Sequence, residues 1–255
     1  MRIKLTFYSD KAIILPVHYN YILQSFIYNN IIDPYLSEFI HNKAYLYNNR
    51  RFKLFVFSKI FPKGIVKDKI ITINKEFYFY ISSVLDDLLA NLAKSFVLNE
   101  KFYLFKNIVY LKSIEVIKYP SIFSTDKLYI NKVAINLLSP ITVYSTLSNS
   151  ENLKKTYYYS PLEKEFYKLI KLNLLKKYNS FYLTNLSEDN FNFNLELDFF
   201  DYRRHSKVIM YKGNYVIKCF EGSFFVSGNR DIIKFAYDVG LGAKNSQGFG
   251  MFDIA

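Results

Sequence analysis

The chain has 255 residues, a formal net charge of +12 and 51% apolar residues, which excludes a disordered polyelectrolyte and allows one large core or two small ones. Its single cysteine, Cys219, excludes an internal disulfide framework and a cysteine metal cluster, and reads as a buried, inert thiol. No apolar run approaches the ~18 residues of a membrane span, and the N-terminal residues lack a signal-peptide core, so a cytoplasmic protein with no membrane partner is expected.

Arg2 to Phe7 alternates polar and apolar residues, which predicts a strand with Ile3, Leu5 and Phe7 on one face. His18 to Ile32 reads as a helix ended by Asp33-Pro34, and a shorter helix follows from Pro34 to His41. Lys53–Ser58 and Phe77–Ile81 are strands. Ser83 to Phe96 is a helix, with Ser83 and Asp86 as a capping box and Leu85, Leu88, Leu89, Leu92 and Phe96 as one stripe. Strand propensity returns from Phe102 to Ile117. The order strand, helix, strand, strand, helix, strand is that of a ferredoxin-like unit.

Turn formers from Lys118 to Asp126 mark a break. Lys127 to Val143 is strand material interrupted by Ser139-Pro140. Ser160-Pro-Leu-Glu163 predicts a helix start with Ser160 as the cap, and Leu162, Phe166, Leu169 and Ile170 facing inward. Phe191 to Phe199 alternates as a strand with one wet face. Strand signal from Lys207 to Val226, a short helix from Asp231 to Val239 and a last strand from Phe249 to Ile254 complete the chain. The second half repeats the topology of the first. The expected fold is α+β, two tandem ferredoxin-like domains over residues 1–122 and 123–255.

Half of the eight glycines lie in Gly240-Leu-Gly-Ala-Lys-Asn-Ser-Gln-Gly-Phe-Gly-Met251. Gly240 serves as a helix cap, but a cap does not require Gly242, Gly248 and Gly250. Backbone N–H groups, with Lys244, Asn245 and Ser246, predict an anion-binding loop. A dinucleotide fingerprint is excluded, because Asn245 stands where its last glycine would be and the loop follows a helix.

This loop resembles the C-terminal glycine-rich signature of the CRISPR-associated repeat-RNA endoribonucleases, the sixth Cas family of the RAMP superfamily. Tyr21 to Asn29, Leu138-Ser-Pro-Ile141 and Pro161 to Tyr167 fit the same family in the same order, so the resemblance spans nearly the whole chain. It implies the tandem ferredoxin-like fold independently.

Three histidines are present, His18, His41 and His205. None is paired at i+3 or i+4, so a zinc site is not expected, and no carboxylate cluster suits a two-metal nuclease. No cofactor is expected. Asp86-Asp87 reads as a solvated pair, His18 as a helix-start residue. Metal-free cleavage of RNA uses its own 2′-OH as nucleophile and needs a proton acceptor, a proton donor and a cation near the phosphorane oxygens. His41 suits proton transfer, since a free imidazole has a pKa of ~6.5.

The resemblance implies a Tyr–His–Lys constellation, carried onto Tyr28, His41 and Lys53. Tyr28, with an ordinary pKa of ~10, is expected to orient the 2′-OH. His41 is the general acid/base and Lys53 the electrostatic stabiliser. The interval from His41 to Lys53 is longer than in the family pattern, so Lys43, Arg50 and Arg51 compete for the cation's role.

The positive charge favours a polyanion, although an AT-rich genome also over-uses Lys, Asn, Ile, Tyr and Phe. Arg50 and Arg51 beside Phe52, and Arg203, Arg204, His205 and Lys207 beside Tyr202, interleave cations with rings, as an RNA-binding surface does. The resemblance implies an enzyme that cuts CRISPR repeat RNA and leaves a 2′,3′-cyclic phosphate (or a 3′-phosphate) and a 5′-OH, with hand-over of the product to other Cas proteins of an interference complex left open. The alternative is a RAMP-type subunit that holds guide RNA without cutting it. A homodimer is left open.

Overall fold

The computed structural model describes residues 1–148 and 154–255. In the first half, β1 (Arg2–Tyr8), α1 (Asn20–Asn29), β2 (Phe55–Phe57), β3 (Glu76–Ser83), α2 (Asp86–Leu98) and β4 (Asn107–Ile117) form an antiparallel sheet of order β2-β3-β1-β4. A short strand, Phe102–Leu104, pairs with the outer edge of β4. In the second half, β5 (Tyr129–Leu137), α3 (Lys164–Tyr182), β6 (Phe193–Phe199), β7 (Ser223–Asn229), α4 (Arg230–Val239) and β8 (Phe252–Ile254) repeat the pattern, with order β6-β7-β5-β8. Both halves place the first strand between the third and the fourth, which is ferredoxin-like topology.

Period-2 alternation builds these sheets. Ile3, Leu5 and Phe7 of β1 are fully buried and face Phe77, Phe79 and Ile81 of β3 on the helix-covered side. In β6, Phe193 and Leu195 are buried while Asn194 and Glu196 are in water. The apolar stripe of α2 (Leu88, Leu89, Leu92, Phe96) closes the first core. Phe166, Ile170 and Leu174 of α3 and Ile232, Ile233 and Ala236 of α4 fill the second. Cys219 is buried, which pushes its thiol up to about 12.

Several elements depart from expectation. The helix expected from Ser160 begins at Lys164 with Glu163 as its N-cap residue. The Glu163 carboxylate accepts from the Ser160 N–H at 2.6 Å and closes a turn before the helix, which leaves Leu162 66% exposed instead of inward. Ser83 does not cap a helix beginning beside it. Its hydroxyl accepts from Leu85 N–H and donates to the Leu54 carbonyl, and α2 starts at Asp86. The strand expected from Lys53 begins at Phe55, because Leu54 takes φ 50°.

Three small pairings were absent from the expectation. They are a hairpin of Tyr45–Tyr47 with Arg50–Phe52, a three-stranded sheet of Ile13–Pro16, Ile70–Ile73 and Ile65–Lys67, and a hairpin of Tyr144–Ser148 with Lys154–Tyr158.

The two halves are joined by buried polar groups. Arg2, 1% exposed, lies 3.5 Å over the Tyr237 ring and donates to the carbonyls of Tyr237 and Phe252 at 3.1 and 2.8 Å. Phe52 and Leu54 belong to the second core although they precede β2 of the first. That crossing carries Lys53 into the junction between the halves.

Candidate active site

Helix α1 presents Tyr21, Gln24, Ser25 and Tyr28 along one side, and the chain then turns at Asp33, whose carboxylate caps the short helix Pro34–Glu38. That helix widens into a π-turn over Phe39–Lys43, and the turn carries His41. The Arg51 guanidinium donates to the Asn42 carbonyl, which ties the turn to the Arg50–Phe52 strand. Lys53 follows directly.

These elements gather the expected constellation. The rings of Tyr28 and His41 lie 5.7 Å apart, edge to face, and Lys53 Nζ is 5.0 Å from the centre of the Tyr28 ring. The His41 Nδ1 faces the Asn42 side-chain oxygen at 2.9 Å, so Nδ1 holds the hydrogen and Nε2 is free to exchange a proton. The Tyr28 hydroxyl is buried without a hydrogen-bond partner among the described residues. Burial pushes its pKa above the ordinary tyrosine value, and the nearby Ser246 hydroxyl, outside bonding geometry, only partly offsets this. Burial and the neighbouring Lys212 hold Lys53 below the usual lysine value.

Two clefts of about 660 Å³ each meet at this point. One is lined by Tyr28, His41, Lys53, Lys212 and Tyr215, and the other by Arg50, Arg51, Lys53, Lys176 and Lys177; Lys244 and Gln247 line both. Among the described residues no Asp or Glu lines either cleft, and no three His, Cys, Asp or Glu side chains come together. A groove with cations and no carboxylates favours a polyanion along its length.

The glycine-rich loop forms one wall of the clefts. Gly240, Gly242, Gly248 and Gly250 are buried. The N–H groups of Gly240, Leu241, Ala243, Gln247, Gly248 and Gly250 are all spent on carbonyls within the protein. A Cβ on Gly250 would lie 1.9 Å from the Leu241 oxygen, so close packing dictates this glycine. Among the described residues no hydrogen bond is made by the N–H groups of Gly242, Lys244, Asn245 or Ser246, so these are the amides left for the expected anion site. Asn245, 8% exposed, donates to the Leu241 and Phe249 carbonyls at 2.9 Å and is a brace of the loop. From the loop, Ala243, Lys244, Asn245, Ser246 and Gln247 line the clefts.

Of the other expected RNA contacts, Arg50 and Arg51 line a cleft, whereas Arg203, Arg204, His205 and Lys207 line neither. The Asp201 side chain accepts from Arg204 N–H in a short helical turn, and His205 Nδ1 accepts from Asp201 N–H beside the rings of Phe199 and Phe200. Lys207 donates to the Arg204 carbonyl. These four form their own basic corner.

Sequence reasoning missed Gln24, Lys176, Lys177, Tyr211 and Lys212. Gln24 donates to the Ser246 carbonyl at 2.6 Å and accepts from the Tyr211 hydroxyl, so α1, the loop and the Ser206–Tyr211 strand meet at one amide. Lys177 was legible in part. It falls on the same helical stripe as Phe166, Ile170 and Leu174, where a lysine is out of place.

Fold and site together define a tandem ferredoxin-like protein with a basic, carboxylate-free cleft at the junction of its halves and a Tyr–His–Lys cluster at one end. Two family models match it: "CRISPR-associated protein Cas6, N-terminal" over residues 14–115 and "CRISPR associated protein Cas6, C-terminal" over residues 123–254. The chain belongs to the Cas6 family. It is 31% identical to the CRISPR-associated endoribonuclease Cas6 1 of Methanocaldococcus jannaschii over 98% of this chain and 91% of that protein. The CRISPR-associated endoribonuclease Cas6 of Pyrococcus furiosus is 29% identical over 96% of this chain and 85% of its own. A solved CRISPR associated protein Cas6 superposes with a TM-score of 0.77 at 30% identity, covering 100% of this chain and 99% of the other.

Proposed function

We propose that this protein is a metal-independent endoribonuclease that cuts CRISPR repeat RNA by attack of the substrate's 2′-OH, leaving a 2′,3′-cyclic phosphate and a 5′-OH. The observation that carries this reading is the meeting of Tyr28, His41 and Lys53 at a carboxylate-free cleft, with Tyr28 and His41 rings 5.7 Å apart. Membership of a family with curated relatives named endoribonucleases supports it.

The phenol of Tyr28, its pKa raised by burial, stays protonated at neutral pH and orients the 2′-OH through its unpartnered hydroxyl. The Nε2 of His41 exchanges the proton, either taking it from the 2′-OH or giving it to the departing 5′ oxygen. Lys53 neutralises charge that builds on the phosphorane oxygens. Attack forms the 2′-oxygen–phosphorus bond and breaks the bond from phosphorus to the 5′ oxygen. The lysines and arginines of the adjoining cleft hold the strand, and Arg203, Arg204, His205 and Lys207 offer a further contact. The division into units 1–122 and 123–255, hand-over of the product to other Cas proteins and a cytoplasmic site of action go with this reading, and the oligomeric state is left open.

The test is cleavage of the host's repeat RNA in excess EDTA, wild type beside His41→Ala, with a deoxyribose at the cut site as control. Cutting by wild type alone, abolished by both changes, is expected. Tight binding with no cutting by wild type would replace this reading with an RNA-holding subunit.

A further inference from the structure

A third cavity, of about 690 Å³, lies behind the active cleft, between α1, the end of α2 and the hairpin that joins Phe102–Leu104 to β4. Tyr21, Ser25 and Asn29, four residues apart on α1, line both this cavity and the cleft that holds Tyr28 and His41. One ridge of a helix therefore separates the two spaces, and a strand leaving the cleft over Tyr21 enters the cavity.

Its walls break several rules of an ordinary surface. Tyr103 and Phe105 are 63% and 50% exposed, with Phe105 at the hairpin tip. Phe105 also holds φ at 59°, a left-handed conformation that costs a side chain of this kind about 1–2 kcal/mol. An aromatic residue kept both strained and half in water points to a ligand.

The polar groups point the same way. Ser95, 1% exposed, lines the cavity, and its hydroxyl has no partner among the described residues. The amide nitrogens of Asn30 and Asn99 are spent on the Phe26 and Ser95 carbonyls at 2.7 and 2.8 Å, which orients both side chains and leaves their oxygens as acceptors. Lys101 is the charged residue of the lining, and among the described residues no carboxylate opposes it. Rings to stack on, oriented amides, a free hydroxyl and one cation together match a nucleotide.

We infer that this cavity is a second nucleotide subsite, which takes one base of the RNA strand flanking the scissile phosphate and stacks it on Tyr103 and Phe105. Ser95 and the asparagines meet the base edge, and Lys101 meets its phosphate. The inference rests on the endoribonuclease reading for the identity of the strand. Stacking of a base on an aromatic side chain is sequence-tolerant and corresponds to roughly a tenfold change in affinity.

The test uses the full chain and repeat RNA made uncleavable by one deoxyribose at the cut site, with each flanking nucleotide in turn made abasic. Tyr103→Ser/Phe105→Asn is the variant. Both positions are exposed, and asparagine tolerates the backbone at 105. For wild type, one abasic position should weaken binding about tenfold. The variant should bind intact RNA about tenfold more weakly and lose nothing further at that position. Wild-type affinity in the variant, or an abasic loss that adds to the mutational one, would overturn the subsite. If wild type fails to cut normal RNA, the endoribonuclease reading falls, while the binding cycle still decides the subsite.

Discussion

Lys177 donates to the Asn245 side-chain oxygen at 2.6 Å from inside the second core, where the lysine is 4% exposed. Its other donors go to the carbonyls of Gly240 and Gly242 at 2.9 and 3.0 Å. Three oxygens converge on one ammonium, and the glycine-rich loop is held from below by a buried cation. Tyr28 and Lys53 thus face a wall whose shape depends on a buried lysine of the second core.

Burial pushes the Lys177 pKa down to about 7, against the acceptors, which favour the charged form. The unfolded chain then holds this proton more tightly than the native state, so stability should rise with pH between about 7 and the ordinary lysine value. The slope is at most roughly 1.4 kcal/mol per pH unit. Urea unfolding at pH 7 and pH 9 should show it in wild type and not in Lys177→Met. That variant should also lose on the order of 3 kcal/mol at pH 7, because three acceptors are left unpaired. Equal slopes in both proteins would contradict the account.

Tyr28→Phe should move activity and stability apart. Its hydroxyl is buried with no partner among the described residues, so removing it should leave stability unchanged or raise it by about 1 kcal/mol. The single-turnover cleavage rate should fall on the order of 100-fold if the hydroxyl orients the nucleophile. A variant that cuts at the wild-type rate would demote Tyr28 to a packing residue.

Lys212→Gln should shift the alkaline limb of the pH–rate profile. Lys53 lies below its usual value through burial first and the Lys212 charge second. Losing the second cause raises the Lys53 pKa, and a cation needed in its protonated form then persists to higher pH. Cleavage rates from pH 7 to 10 should fall later in the variant. An unmoved limb would mean that Lys53 does not control it.

Gly250→Ala and Gly213→Ala separate packing from conformation. Both glycines hold positive φ, 81° and 75°. A Cβ at Gly250 meets the Leu241 oxygen at 1.9 Å, while one at Gly213 meets nothing within 4 Å. Gly213→Ala should cost about 1 kcal/mol. Gly250→Ala should cost several times that or prevent folding. Thermal melting of both variants checks the contrast, and equal costs would refute it.

Local pattern was enough to read both ferredoxin-like halves. The alternation of Arg2–Phe7 and Phe191–Phe199, and the leucine stripe of α2, each report which face is buried. The small pairings escaped for a physical reason. Strand Ile13–Pro16 finds its partner at Ile70–Ile73, far along the chain, and a short isoleucine-rich run does not name its partner. Leu162 was misjudged because Ser160 and Glu163 make the right hydrogen bond in the wrong element. The glycine loop was legible as a loop, but glycine signals positive φ or close approach without saying whether a ligand or another carbonyl is the neighbour, and at Gly250 the neighbour is the Leu241 carbonyl.

By itself the sequence determined the fold class, the family and the residues Tyr28, His41 and Lys53 as candidates, because periodicity and motif are properties of neighbours along the chain. Only the tertiary structure decided that the three face one cleft, that Arg51 braces the His41 turn, and that Gly250 packs against the Leu241 carbonyl. It also decided that Lys177 lies beneath that loop. These are relations between groups far apart in sequence, set by how the two ferredoxin-like sheets and helices α1 to α4 pack, and no local pattern encodes the distance between them.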